Sequence, residues 1–268
     1  MSITYVETAD DHRLADFRGV SDPELAANHG FFIAEGRLVV RRLLTESALS
    51  TRAVLVTPGA MKTLEDALAH QPDIPVYLVS KDVMEGVAGF NIHRGCLASG
   101  VRPPRADWRT LVAQARRIVV LERVGDADNV GAIFRSAAAF KADAILLGPA
   151  CADPLYRKAI RTSMGAALTL RFADADPWPA TLTELIAGGW AVAALTPAAD
   201  AMALRDFGTT TRPPRVALVV GHEGDGLTDA ALSACDYRVR IPIHTSVDSL
   251  NVATAAAIAL YELGQAVS

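Results

Sequence analysis

The feature that most constrains the fold is a series of short apolar runs separated by helical stretches in the C-terminal 160 or so residues. Runs of this length between helices are typical of strands in a parallel sheet that helices cover on both faces. We therefore predict an α/β domain that ends in a helix over 250–265. The predicted strands cover 117–121, 144–147, 190–195, 216–220 and 239–243.

The first 100 or so residues also alternate between helical and extended patterns, and they predict a smaller α/β domain. The predicted helices cover 35–47 and 81–87, and the predicted strands cover 52–57 and 76–79. Pro58 and Gly59 end the first of these strands, and a further helix is predicted after them, to about 70. The segment 91–98 leads into a third predicted strand. The segment 99–107 contains Pro103 and Pro104 between Gly100 and Asp107, a composition typical of a linker. We expect a first domain over 1–100, a linker over 101–110 and a second domain over 111–268.

Composition excludes several classes of protein. No apolar stretch approaches the roughly 20 residues that span a bilayer, and the acidic N-terminus lacks the apolar core of a signal peptide. We expect a soluble cytoplasmic protein. The three cysteines form no CxxC pair, and the six histidines have no metal-binding spacing, so we expect neither disulfides nor metal. A net charge of −4 argues against a general basic surface for nucleic acid.

Three polar loops follow predicted strands, where parallel α/β sheets bind ligands. The first covers 122–135, and we predict that Asp128 or Asn129 caps the helix that begins there. Arg135 lies in an otherwise apolar part of this helix, so its guanidinium must be paired or face a cleft. A salt-bridged surface arginine is the alternative interpretation.

The second loop contains Gly221, Gly224 and Gly226 directly after a predicted strand. Glycines allow positive φ and close approach of the backbone to a ligand. The spacing is GxxGxG, which differs from the GxGxxG dinucleotide motif. Glu223, between the glycines, could accept hydrogen bonds from ribose hydroxyls or an amine. A plain glycine-rich turn with a solvated Glu223 is the alternative.

The third loop follows a strand that stops at Pro242. We predict that Asp248 or Ser249 caps the final helix, and that Ser249 and Asn251 present polar groups at its start. Free backbone N–H groups at such a position suit a carboxylate or a phosphate. Ordinary helix capping is the alternative interpretation.

Taken in order, the three loops resemble the three motifs of the SpoU family of the SPOUT superfamily, the trefoil-knotted RNA 2′-O-ribose methyltransferases. The matching segments are DNVGAIFRSA at 128–137, LVVGHEGDGL at 218–227 and IPIHTSVDSLNVATAAAIALYE at 241–262. RTSMGAA at 161–167 and the strand end at Thr196 resemble intermediate family segments. In the first part, FIAEGRLVVRRLL and HRGCLA are similar to the small RNA-binding domain of many members. His222 departs from the pattern, since the family often has a smaller or amide residue there.

This resemblance implies a deep trefoil knot in the second domain, although knots are rare among proteins. It implies S-adenosylmethionine as cofactor, with Thr196, Gly221, Ile241 and Leu250 lining its pocket. The implied reaction is methyl transfer to a ribose 2′-hydroxyl of structured RNA. Ribosomal RNA is favoured over transfer RNA, and the first domain is expected to select it. Relatives act as homodimers, so we expect a homodimer here.

The family usually assigns activation of the 2′-hydroxyl to the arginine that matches Arg135. A guanidinium stays protonated and only donates hydrogen bonds, so we expect Arg135 to stabilise the developing alkoxide and hold a phosphate. Four further residues match positions that order Arg135 or the substrate: Asn129, Glu223, Ser249 and Asn251. Two alternatives remain, a non-catalytic RNA-binding or assembly protein with this fold and a nucleotide-dependent oxidoreductase. The intact motifs weigh against the first and the missing GxGxxG against the second.

Overall fold

The computed structural model describes residues 2–18, 22, 30–88, 95–211, 213–244 and 246–265. The strands are β1 Ser2–Val6, β2 Phe31–Glu35, β3 Thr51–Val56, β4 Pro75–Val79, β5 Cys96–Val101, β6 Arg117–Leu121, β7 Ala144–Leu147, β8 Phe172–Asp174, β9 Ala191–Leu195, β10 Met202–Ala203, β11 Val216–Val220 and β12 Tyr237–Arg240. The α-helices are α1 Arg37–Thr45, α2 Pro58–Leu68, α3 Lys81–Ala88, α4 Trp108–Val112, α5 Ala127–Ala139, α6 Arg157–Thr162, α7 Ala180–Ala187, α8 Leu204–Asp206, α9 Asp229–Ser233 and α10 Val252–Gln265.

The chain forms two compact units. The first contains residues 1–104 and 154–169, and the second contains residues 105–153 and 170–268. The first unit has a five-stranded sheet in the order β1-β4-β3-β5-β2. In this sheet β4 runs parallel to β1 and β3, whereas β5 runs antiparallel to β3 and β2.

Most elements of the first unit lie where the sequence predicts them, but its edges differ. The helix expected over 35–47 begins only at Arg37, because Glu35 still belongs to β2 and Gly36 turns the chain with a φ of 97°. The strands β1 and β2 were not predicted. β2 is a continuous buried run, which lacks the alternation that identifies a half-buried strand.

The third strand of this unit begins at Cys96 and continues to Val101. The first four positions of the segment predicted to lead into it, 91–94, lie outside the described residues. The linker predicted over 99–107 therefore starts too early, since Ser99 is fully buried in the sheet between β3 and β2. The two prolines follow the strand, as expected of residues that cannot donate to a sheet.

Residues 154–169 lie in sequence between the two parts of the second unit, but they belong to the first unit, where α6 lies against β2. Arg42 on α1 donates to the Met164 carbonyl at 2.8 Å. Arg157 donates from its backbone and its guanidinium to the two carboxylate oxygens of Asp22, at 2.9 and 3.0 Å. A segment that resembles a methyltransferase motif is thus part of the smaller unit's structure.

The second unit has a seven-stranded sheet in the order β10-β12-β9-β11-β6-β7-β8, and every neighbouring pair is parallel. Every residue of β7 and β11 is buried, because helices cover both faces. The predicted parallel α/β sheet is therefore confirmed. Trp108, Trp190, Leu182 and Leu185 belong to the apolar cluster on one side of it.

Two predicted boundaries in this unit are wrong. β12 ends at Arg240 and not at 243, because its neighbour β9 ends opposite Val239. The last helix begins at Val252 and not at 250. α10 packs against α5, so the helices that follow the first and third loops lie side by side. No described helix is both long and apolar enough to cross a membrane. The knot stays a prediction.

Candidate active site

The carboxyl ends of four neighbouring strands, β12, β9, β11 and β6, meet at one edge of the seven-stranded sheet. The first residues beyond these strands are Ile241, Thr196, Gly221 and Glu122 respectively. Because the strands are parallel, the loops that follow them converge on the same edge. The three predicted loops are therefore neighbours in space.

The first loop ends at the cap of α5, which is Asp126. Its carboxylate accepts from the Asp128 backbone N–H at 2.9 Å, and the helix begins at Ala127. The prediction that Asp128 or Asn129 caps this helix is wrong, since both already lie in its first turn. This leaves the amide of Asn129 available for contacts outside its own helix.

The second loop is a tight turn closed by its own backbone. His222 and Gly226 exchange two N–H···O=C bonds, each 3.1 Å long, and Gly226 has a φ of 69°. A Cβ at Gly221 would lie 2.5 Å from the carbonyl carbon of Gly226, which no real side chain tolerates. Glycine at 221 therefore allows the strand end and the turn to touch.

The imidazole of His222 holds the same turn from inside. Its Nδ1 accepts from the backbone N–H groups of Gly224 and Asp225, at 3.0 and 3.1 Å. Nδ1 therefore carries no hydrogen, and the neutral ring has its proton on Nε2. An amide oxygen at this position can accept from the same N–H groups. This explains how histidine replaces the amide that the family often has there.

The third loop ends at Asn251, which caps α10. Its Oδ1 accepts from the backbone N–H groups of Ala253 and Thr254, at 3.0 and 3.2 Å. The prediction that Asp248 or Ser249 is the cap is therefore wrong. Because Oδ1 faces the helix, the Nδ2 group of Asn251 points away from it and can donate elsewhere.

The amide of Asn129 joins the three loops. Its Oδ1 accepts from Asn251 Nδ2 at 2.9 Å, and its Nδ2 donates to Glu223 Oε1 at 2.5 Å. The amide orientations are mutually consistent, because the backbone fixes that of Asn251 and a carboxylate only accepts. Asn251 therefore donates to Asn129, which donates to Glu223. These bonds fix the position of the Glu223 carboxylate relative to the first turns of α5 and α10.

A pocket of about 120 Å³ opens beside Glu223, between the ends of β9, β11 and β12. All four residues predicted to bind the cofactor line it: Thr196, Gly221, Ile241 and Leu250. Glu223 and the exposed Ser249 also line it. Asn129 and Asn251 are not among its lining residues and act on it through Glu223. The volume lies below the usual range for an enclosed ligand, so the pocket surrounds a ligand only in part.

Arg135 lies on α5 six residues beyond Asn129, about 9 Å further along the helix. Its side chain is exposed and is not among the residues that line the pocket. In the part of the chain that the structure describes, Arg135 has no hydrogen bond or ion pair. Within a single chain, its guanidinium therefore remains available for an external anion.

A buried carboxylate behind the site was missed from the sequence. Glu122 is 1% exposed, and its Oε1 accepts from Trp178 Nε1 at 2.8 Å and from Thr228 Oγ1 at 2.7 Å. Its Oε2 accepts from the Thr228 backbone N–H at 2.8 Å. Glu122 thus fixes the far end of the glycine turn to the end of β6. An acidic residue directly after an apolar strand was the available signal.

Two cysteines of the second unit, Cys151 and Cys235, are partly buried free thiols. Burial raises the pKa of the Cys151 thiol to about 11 and that of the Cys235 thiol to about 12. Both are therefore protonated thiols at neutral pH, and thiols are far weaker nucleophiles than thiolates. Among the described residues, no group of three or more His, Cys, Asp and Glu side chains could hold a metal ion.

The geometry agrees with a comparison against protein families, in which the SpoU rRNA Methylase family matches residues 116–261. The chain belongs to the SpoU rRNA Methylase family. The match covers all three loops and most of the second unit. The prediction of the family and that of a methyltransferase are confirmed.

SpoU relatives also cover the first unit. An uncharacterized tRNA/rRNA methyltransferase of Mycobacterium bovis is 46% identical over 94% of this chain and 88% of its own. The Bacillus subtilis 23S rRNA (guanosine(2553)-2′-O)-methyltransferase RlmP is 27% identical over 96% of this chain and 98% of its own. The AdoMet-bound rRNA methyltransferase of Sinorhizobium meliloti superposes with a TM-score of 0.84 at 23% identity, covering 98% of each chain. These matches therefore extend over the first unit as well as the second.

Proposed function

We propose that this chain transfers a methyl group from S-adenosylmethionine to a ribose 2′-hydroxyl of ribosomal RNA. The observation that carries the proposal is the chain of hydrogen bonds from Asn251 through Asn129 to Glu223, beside the pocket at the strand ends. RlmP, whose name gives a 2′-O site in 23S rRNA, supports ribosomal RNA as the substrate. Transfer RNA is the second candidate, as the name of the Mycobacterium bovis relative includes both.

The pocket has the chemistry that an adenosyl group requires. Leu195, Ile241 and Leu250 provide apolar contacts, and the glycine turn exposes backbone N–H and C=O groups without side chains in the way. Glu223 adds a carboxylate for an amine or for ribose hydroxyls. The predicted cofactor is therefore compatible with the residues present. Two solved structures of the same fold, from Sinorhizobium meliloti and Streptomyces viridochromogenes, are described as bound to AdoMet.

When bound, the cofactor supplies an electrophilic methyl group on a positively charged sulfur. The apolar residues of the pocket would exclude water from one side of that methyl group, and a cofactor held there would be oriented for transfer. Asn129 keeps the Glu223 carboxylate in one orientation. The Ser249 hydroxyl, exposed at the pocket, is positioned to contact the substrate.

Arg135 stabilises negative charge on the RNA. Its guanidinium donates up to five hydrogen bonds and accepts none, so it cannot remove the proton from the 2′-hydroxyl. It can stabilise the developing alkoxide and hold a neighbouring phosphate. The exposure of Arg135 and its lack of a partner among the described residues support this role, since an ion pair would compete with the RNA.

We also infer that the active species is a cytoplasmic homodimer. The pocket surrounds a ligand only in part, and Arg135 lies outside its lining, so a second subunit would complete the site. One large apolar side chain in the third loop supports a contact surface, since Val247 is 51% exposed. Sedimentation that shows a fully active monomer would contradict the dimer.

The proposed function is tested with tritiated-methyl S-adenosylmethionine and total RNA from a strain that lacks the gene. RNA from the parent strain, already methylated, is the control and should accept little label. We expect label in ribosomal RNA at one ribose, seen as a phosphodiester that resists alkaline hydrolysis. Label in transfer RNA would change the substrate class. Cofactor binding without transfer to any RNA would instead indicate the non-catalytic alternative.

A further inference from the structure

A second and larger groove lies at the opposite edge of the seven-stranded sheet, where strands begin and helices end. It has a volume of about 1060 Å³ and lies among the starts of β6 and β11 and the ends of α5 and α10. β11 has five residues, so the two edges of the sheet are separated by about 13 Å. The groove is therefore distinct from the methyl-transfer pocket.

The groove is basic although the chain carries a net charge of −4. Four cations line it, Arg116, Arg117, Lys141 and Arg215, against a single carboxylate, Asp143. Within the described residues, none of the four forms a salt bridge. Asp143 Oδ2 instead accepts from the backbone N–H groups of Arg116 and Arg117, both at 2.8 Å. The positive charge in this groove is thus largely uncompensated.

Two of these cations belong to the architecture of the groove. Arg117 donates to the Phe140 carbonyl at 2.7 Å, at the end of α5. Arg215 lies 4.2 Å from the ring centroid of Trp190 and donates to the Val112 carbonyl at 2.7 Å. Carbonyl groups and aromatic faces hold these guanidinium groups in place but leave their formal charge.

The other two cations are free to contact a ligand. Arg116 and Lys141 are exposed, and in the described part of the chain their side chains make no hydrogen bond. The groove also includes Tyr261, which is 52% exposed and packs edge-on against Phe140 at 5.8 Å between ring centroids. Cations beside an exposed aromatic ring are typical of surfaces that follow a nucleic-acid backbone and stack a base.

From this arrangement the geometry points to a second RNA-binding surface, in which the groove binds the phosphates of a segment distant from the methylated ribose. This inference rests on the proposed function for its choice of ligand. A large, structured RNA can reach both edges of the sheet at once, and separated cations with a wide groove fit several phosphates better than a single small anion. Binding here would add affinity without contributing to the chemistry.

The test compares wild type with the Arg116→Gln, Lys141→Gln double variant. Both side chains are exposed, so the fold should persist, which circular dichroism checks. The control is Arg171→Gln with Arg238→Gln, two exposed arginines of the same unit that do not line the groove. Binding is followed by fluorescence anisotropy of a labelled 30-nucleotide RNA hairpin with single-stranded tails, over a range of salt concentrations.

We expect the double variant to bind the hairpin roughly tenfold more weakly at low salt. The slope of log K against log salt should fall in magnitude by about 1.4 to 1.8, as two phosphate contacts are lost. In methyl transfer to ribosomal RNA, KM should rise while kcat and cofactor affinity stay unchanged. The control variant should behave as wild type.

Equal hairpin affinity and an equal salt slope in the double variant and wild type would overturn the inference, as would a wild type that does not bind the hairpin. An equal loss in the control variant would show a general charge effect and also overturn it. A change in sedimentation of the double variant would indicate a subunit contact instead. The proposed function fails separately, through absence of methyl transfer to any RNA.

Discussion

The side chain of Asn251 donates a hydrogen bond to Asn129, 122 positions earlier in the chain, at 2.9 Å. Asn129 in turn donates a hydrogen bond to Glu223, so its amide links three loops that lie far apart in the sequence. Each amide uses its oxygen and its nitrogen for different partners. Rotating either amide by half a turn would break all of its hydrogen bonds, two at Asn129 and three at Asn251, which makes the arrangement specific.

Replacing Asn129 with alanine should lower kcat for methyl transfer. The change removes a donor to a carboxylate, an interaction that contributes about 1.5–3 kcal/mol, which corresponds to roughly 10- to 100-fold. Asn129→Asp should be worse, because it keeps the shape but places a second negative charge beside Glu223. Kinetics with labelled cofactor check both variants. An Asn129→Asp variant as active as wild type would show that Asn129 has no role in methyl transfer.

Replacing Arg135 with alanine should abolish methyl transfer, with a loss of about 100- to 1,000-fold as for other groups that stabilise a developing oxyanion. The side chain is exposed and makes no hydrogen bond or ion pair in the described part of the chain, so thermal stability and cofactor affinity should not change. Calorimetry measures the affinity, and Arg171→Ala, another exposed arginine, is the control. Near-normal turnover would refute the role of Arg135.

Replacing Gly221 with alanine should prevent cofactor binding. The added Cβ would lie 2.5 Å from the Gly226 carbonyl carbon, so the strand end and the turn must separate. Gly59→Ala on α2 is the matched control, because nothing lies within 4 Å of its Cβ position and alanine favours a helix. Calorimetric titration with S-adenosylmethionine distinguishes the two. Unchanged affinity in the Gly221 variant would mean that the turn adapts.

Cys151 and Cys235 should react slowly with thiol reagents at neutral pH. With its pKa raised to about 11 by burial, Cys151 is ionised at pH 8 in about one molecule in a thousand. The labelling rate in the native protein should rise about tenfold per pH unit from pH 7 to 10, because only the thiolate reacts. In urea, where the chain is unfolded, both thiols should react at the rate of an ordinary exposed cysteine. Fast labelling of either native residue at pH 7 would contradict the burial argument.

The sequence predicts the core strands of the second unit almost residue by residue. β6, β7 and β11 are short apolar runs bounded by polar residues, and this pattern survives folding because both faces of the sheet are buried. The site edge follows from the same pattern, since ligands bind where parallel strands end. The four residues that the resemblance names for the cofactor pocket line one pocket at this edge, and their role in binding the cofactor stays a prediction.

Helix caps were harder to predict. Asp126, Asp128 and Asn129 can all cap α5, and local sequence does not determine at which of them the backbone turns helical. The same ambiguity affects α10, where Asn251 accepts from the helix start. In both loops, the path of the chain in the folded protein determines which residue is the helix cap.

The contacts that cross long distances in sequence could not be predicted at all. The packing of 154–169 in the first unit depends on contacts such as that between Arg42 and Met164, which no periodicity reveals. The basic groove has the same origin, because its four cations come from three separate segments, at 116–117, 141 and 215. The net charge of the chain counts all charged residues together, so it does not show that these cations lie in one groove.

The buried carboxylate of Glu122 has a consequence for how this protein can diverge. Its three hydrogen bonds come from only two residues, Trp178 and Thr228, and the carboxylate is 1% exposed. Replacing Trp178 or Thr228 would leave the buried Glu122 carboxylate with fewer hydrogen-bond donors. Replacing Glu122 would leave the buried donor groups of Trp178 and Thr228 without an acceptor. Substitutions at these three positions should therefore arise together across descendants, and a lineage that changes one alone should be rare.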